Sequence, residues 1–102
     1  MEEKMPQKTN ESYSYPIVDD WSRKELIDVC HFFENIEMAY NKSGVSRKNL
    51  MDSYHRFCEI NPAKVEQNNL QRDFEKQSEL DVYHVMKLAR DNPGIKTIKR
   101  KG

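Results

Sequence analysis

The sequence predicts an all-α protein: an irregular bundle of four helices with an extended N-terminal strap and disordered termini. Three observations predict it. Apolar residues recur at steps of three and four along most of the chain, which is helical periodicity. Ser22, Ser46 and Asp81 each stand where a helix N-cap belongs, and each is straddled by a pair of apolar residues. Glycine is scarce, at three residues in 102, and few segments alternate apolar with polar residues, so a sheet is not expected.

The elements follow in order. Residues 1–12 hold no aromatic or β-branched aliphatic residue and read as a disordered tail, because they cannot bury enough to offset the entropy of ordering. Tyr13, Tyr15, Pro16 and Ile17 change that character. Pro16 holds Tyr15 in extended geometry, so this stretch reads as a strap across the helices.

The first helix spans about 22–41. Ser22 with Glu25 makes a capping box, and Trp21 with Leu26 makes a hydrophobic staple. Leu26, Val29, Cys30, Phe33, Ile36 and Tyr40 form its apolar stripe, widened by Ile27 and Phe32. Gly44 suits a left-handed conformation after it. The second helix, near 46–60, has Ser46 as cap and Val45 with Leu50 as staple, with Leu50, Met51, Tyr54, Phe57 and Cys58 facing the core. It stops at Asn61-Pro62. The third, near 62–77, takes Asn61 as its cap and is poor in apolar residues, with Val65, Leu70 and Phe74 left to meet the core. The fourth, near 81–92, has Asp81 as cap, Leu80 with Val85 as staple, and Val82, Val85, Met86 and Ala89 as stripe. Residues 13–94 therefore read as one domain, and 95–102 as a short basic tail. The short link at 42–45 makes the first two helices antiparallel neighbours.

Composition bounds function. Lysine plus arginine and aspartate plus glutamate both number 17, so the net charge is zero, which does not indicate a nucleic-acid coat. Residues 12–95 hold 11 bases and 14 acids, a mildly acidic body. No apolar h-region follows Met1 and no run approaches the roughly 20 apolar residues a membrane span requires. The expected location is the cytoplasm, with Cys30 and Cys58 as reduced thiols.

Several short runs, in this order and spacing, resemble a known family. They are Tyr15-Pro16-Ile17, Asp20-Trp21-Ser22, His31-Phe32-Phe33, Glu37-x-x-Tyr40, Tyr54-x-x-Phe57, Pro62-Ala63-Lys64, Phe74-Glu75 and Tyr83-x-x-Met86. The chain resembles uncharacterised protein family 0223, small helical proteins of low-GC Gram-positive bacteria, over residues 13–92. The resemblance implies an irregular helical array and supplies no catalytic residues. The family pattern has Ser-Gly-Tyr-Ser across positions 78–81. Here Glu79 stands in place of the glycine, which implies a different turn into the fourth helix.

Sites of chemistry are sparse. Cys30-His31 and His55-x-x-Cys58 offer two thiols and two imidazoles, the donor set zinc prefers. Cys30 and His31 lie about 100° apart around their helix, however, and no C-x₂-C spacing occurs. Both cysteines sit on apolar stripes and read as small core residues. The acids Glu34, Glu37, Glu66, Asp73 and Glu75 lie near lysines and arginines and read as a solvated surface. There is no glycine-rich phosphate loop. A helix-turn-helix over helices two and three would carry Glu66, Asp73 and Glu75 towards phosphates. No metal, no cofactor and no catalytic activity are therefore expected.

The leading expectation is a non-catalytic protein-interaction module, with Tyr13, Tyr15 and Trp21 as candidate anchors for a partner protein. The alternative is weak nucleic-acid binding through Lys96, Lys99, Arg100 and Lys101, a tail without interleaved aromatics for base stacking.

Overall fold

The computed structural model describes residues 20–100. The tail 1–12, the strap over 13–17 and Lys101 lie outside the described residues. Four helices and two short strands follow one another: α1 (Arg23–Ala39), β1 (Val45–Ser46), α2 (Arg47–Ile60), α3 (Lys64–Ser78), α4 (Val82–Asp91) and β2 (Thr97–Ile98).

The caps fall where the residue types require. The Ser22 hydroxyl accepts from the Glu25 amide while the Glu25 carboxylate accepts from the Ser22 amide, a complete capping box. Ser46 accepts from the Asn49 amide and Asp81 from the His84 amide. Each cap satisfies a helix-end donor that has no partner within the helix.

One core joins the helices. Val29, Phe32, Phe33, Ile36 and Ala39 of α1 meet Leu50 and Phe57 of α2, Leu70 and Phe74 of α3, and Val82, Val85, Met86 and Ala89 of α4. Its centre is aromatic. Phe32 stacks on Phe57 at 4.8 Å between ring centroids, and Phe33 stacks on Phe74 at 4.6 Å. Helices α1 and α2 run antiparallel. Asp28 meets Arg56, whereas Asn35, two turns on, meets Ser53 and the carbonyl of Asn49.

The structure corrects the sequence reading at four places. Ile27 does not widen the core stripe: it is 50% exposed on the outward side of α1. Asn61 does not cap α3. It closes α2, where its side-chain amide donates to the Phe57 carbonyl. The cap position of α3 is Ala63, which offers no side-chain acceptor. Val65 is not a core residue. The buried face of α3 is Gln67, Leu70, Phe74 and Ser78, and the Gln67 amide donates to the Asn61 carbonyl at 2.8 Å. A polar side chain takes that position because it alone can satisfy the carbonyl beside Pro62.

The fourth correction concerns the tail. Val45–Ser46 pairs antiparallel with Thr97–Ile98, with Val45 opposite Ile98 and Ser46 opposite Thr97. Ile98 is fully buried, and the Arg100 amide donates to the Ala39 carbonyl at 2.7 Å. Residues 97–100 are thus tied to the helical body. Gly44 permits this approach. Its φ is +71°, and a Cβ there would lie 2.6 Å from the Ile98 carbonyl oxygen.

Candidate binding surface

The β1–β2 ladder brings two charged segments together. Residues 42–48 carry Lys42, Arg47 and Lys48, and residues 96–100 carry Lys96, Lys99 and Arg100, with no acid in either segment. A chain of zero net charge therefore has a cationic end. Arg47 is half-buried there. Its Nε donates to the Ala89 carbonyl at 2.8 Å and its amide donates to the Lys96 carbonyl. A cation at the last carbonyls of α4 is favoured by the helix dipole. Lys48 pairs with Asp52 at 2.7 Å. Lys42, Lys96 and Lys99 are exposed and meet no acid among the described residues.

A concavity flanks each side of the ladder. One, of ≈ 570 Å³, is lined by Tyr40, Asn41, Lys42, Lys99 and Arg100. The Tyr40 hydroxyl accepts from the Asp81 amide at 2.9 Å and donates to the Asp81 carbonyl, which fixes this wall to the start of α4. Burial pushes the Asp81 carboxyl up. The His84 amide, the His84 ring and the Arg100 charge outweigh it and hold the group below its usual range. The other concavity, of ≈ 460 Å³, combines Met51, Pro93 and Ile95 with Ser46, Arg47, Lys48 and Lys96, and with Asp52, the carboxylate that pairs with Lys48.

A third concavity, of ≈ 520 Å³, lies between α1 and α2. Its charges are consumed internally. Asp28 accepts from Arg56 at 2.8 Å and from Lys24 at 2.9 Å, and these two bonds, Arg56 first, hold its carboxyl below the usual carboxylate range. Asn35 donates to Ser53.

The predicted site residues fall as follows. Lys96, Lys99 and Arg100 lie on the cationic end; Lys101 is outside the described residues. Trp21 is half-buried, packs on the core, and donates from Nε1 to the Asn61 side-chain oxygen at 3.3 Å. Tyr13 and Tyr15 are outside the described residues. Sequence reasoning missed Tyr40, Lys42, Arg47 and Lys48, since only the ladder brings them to the tail. The available signal was Gly44 followed by Val45, an αL position leading into a β-branched residue. Cys30 and Cys58 are unbridged and half-buried, and burial pushes the Cys30 thiol up. Among the described residues no three of His, Cys, Asp and Glu are grouped to hold a metal ion. No described helix is long and apolar enough to cross a membrane.

Fold and surface together define a small helical protein whose chain end folds back to build a cationic face. Residues 12–98 match the family model of UPF0223, an uncharacterised protein family, and the chain belongs to that family. It is 42% identical over 84 residues to the UPF0223 protein YktA of Bacillus subtilis, covering 82% of this chain and 94% of the relative. It is 39% identical over 89 residues to a UPF0223 protein of Staphylococcus haemolyticus, covering 87% of this chain and 98% of the relative. A UPF0223 protein of Lysinibacillus sphaericus is 42% identical over 92 residues, covering 87% and 96%.

Proposed function

We propose that the chain is a non-catalytic protein-interaction module that docks an acidic segment of a partner protein on its cationic end. The observation that carries this reading is the convergence of Lys42, Arg47, Lys48, Lys96, Lys99 and Arg100 about the ladder. Opposite charge across an interface steers encounter and fixes register. Met51, Pro93 and Ile95 beside these cations supply an apolar floor for an anchoring side chain. The unbridged thiols Cys30 and Cys58 fit a reducing, cytoplasmic setting.

A second reading has the same end contact nucleic acid through Lys96, Lys99, Arg100 and Lys101. Tyr40, lining the concavity with Lys42, Lys99 and Arg100, favours it by placing an aromatic ring among the cations.

Affinity capture from bacterial lysate separates the two. The wild-type chain is compared with Lys42→Glu/Lys99→Glu and with a control reversal on α3, Lys64→Glu/Lys76→Glu. A near-stoichiometric protein lost with the first variant, kept with the second and resistant to nuclease is the expected result. Capture abolished by nuclease transfers the surface to nucleic acid. Capture untouched by Lys42→Glu/Lys99→Glu removes the cationic end from the function.

A further inference from the structure

The outward side of α1 carries apolar residues that the core does not use. Val29, Phe32, Phe33, Ile36 and Ala39 face inward. On the opposite side Ile27 is 50% exposed and Met38 is 43% exposed, with exposed His31 and Glu34 between them. The four positions are spaced by four, three and four residues. That is the a/d spacing of a coiled coil over one and a half heptads of one helix face, with apolar residues at its two ends and polar ones at its two central positions.

We infer that this seam is a self-association surface on which two copies pack α1 against α1 in antiparallel orientation. The occupant is set by self-complementarity. A two-fold axis between residues 32 and 33 places Ile27 against Met38 of the partner subunit, and His31 against Glu34 of the partner subunit, each twice. Apolar residues meet apolar ones at both ends, and an imidazole meets a carboxylate at both central positions. Parallel pairing would set Glu34 on Glu34 and His31 on His31, juxtapositions of like groups that disfavour it. The seam shares no residue with the cationic end, so the inference stands apart from the docking reading.

Two apolar anchors per copy make a small interface. The expected dissociation constant is on the order of 100 μM, at the weak end of specific association. Sedimentation equilibrium of the full chain, from about 10 μM to about 1 mM, reads it directly. The expected result is a monomer–dimer equilibrium. Ile27→Glu raises the dissociation constant about tenfold or more. Glu34→Lys, which sets a lysine against His31 of the partner subunit, weakens association as well. The charge swap His31→Glu/Glu34→Lys restores association, because in the antiparallel seam the two exchanged groups still face each other. All these positions are exposed, so each variant should keep its thermal midpoint and far-UV spectrum. A monomer at every concentration, or a dimer indifferent to Ile27→Glu, overturns the inference. Failure of the swap to restore association overturns the antiparallel pairing.

Discussion

Glu79 holds φ at +63° as the C-cap of α3, a conformation that costs a residue with a Cβ roughly 1–2 kcal/mol. Its amide donates to the Glu75 carbonyl and closes the helix. The turn is held in place from two sides. The Glu75 carboxylate accepts from the Val82 amide at 2.8 Å, and the buried Ser78 hydroxyl donates to the Phe74 carbonyl and accepts from the Leu80 amide. The family resemblance implied glycine at this position and hence a different turn here; Glu79 takes the left-handed conformation itself. Glu79→Gly should stabilise the protein by about 1 kcal/mol, because glycine adopts this region freely. Urea denaturation measures it, and a destabilised variant would mean that the Glu79 side chain contributes more than its backbone costs. Asn61 shows why some residues cannot be read locally. Beside Pro62 it looks like the cap of the next helix, yet its amide groups close α2 on the Phe57 carbonyl, its side-chain oxygen accepts from Trp21, 40 positions away, and its carbonyl accepts from Gln67.

Helix α3 is the element whose packing was least legible. Its narrow apolar stripe predicted a mostly solvated face: nine of its 15 residues are exposed, and Leu70 and Phe74 enter the core. Val65 does not, because the helix begins at Lys64 and Gln67 occupies the first inward position. Phe74→Ala should cost about 3–5 kcal/mol, since a fully buried ring stacked on Phe33 is removed. Val65→Ala should change stability by less than about 0.5 kcal/mol. Equal effects would contradict the assignment of faces. The other three helices were readable because caps and staples are encoded within five residues of sequence.

The pairing of α1 with α2 has a pH dependence. Asp28, its side chain 15% exposed, is bonded to the Arg56 guanidinium and the Lys24 ammonium, and its carboxyl is held below the ordinary carboxylate range. A depressed folded-state value contributes stability that is present above the unfolded value, roughly pH 4, and is lost as pH falls through the folded one. Asp28→Asn should therefore lower stability at neutral pH and flatten the acid limb of the stability profile below about pH 4. An acid limb identical to that of the wild type would assign the loss to other carboxylates.

At the scale of the whole molecule, the decisive feature is the return of the chain end to the segment between α1 and α2. Helical periodicity places residues along an element but carries no signal for a two-residue ladder between positions more than 50 residues apart. The basic character of residues 96–100 was legible; its partner segment was not. Ile98 is the residue that makes the return stable, since it is buried to the last atom in a core otherwise built by helices and Val45. The cationic end, and with it the proposed docking surface, exists only if that segment is folded. Amide hydrogen exchange resolved by residue tests this most directly. The Arg100 amide, bonded to the Ala39 carbonyl, and the Arg47 amide, bonded to the Lys96 carbonyl, should exchange orders of magnitude more slowly than unstructured amides. An Arg100 amide exchanging at the rate of a free chain would contradict the account.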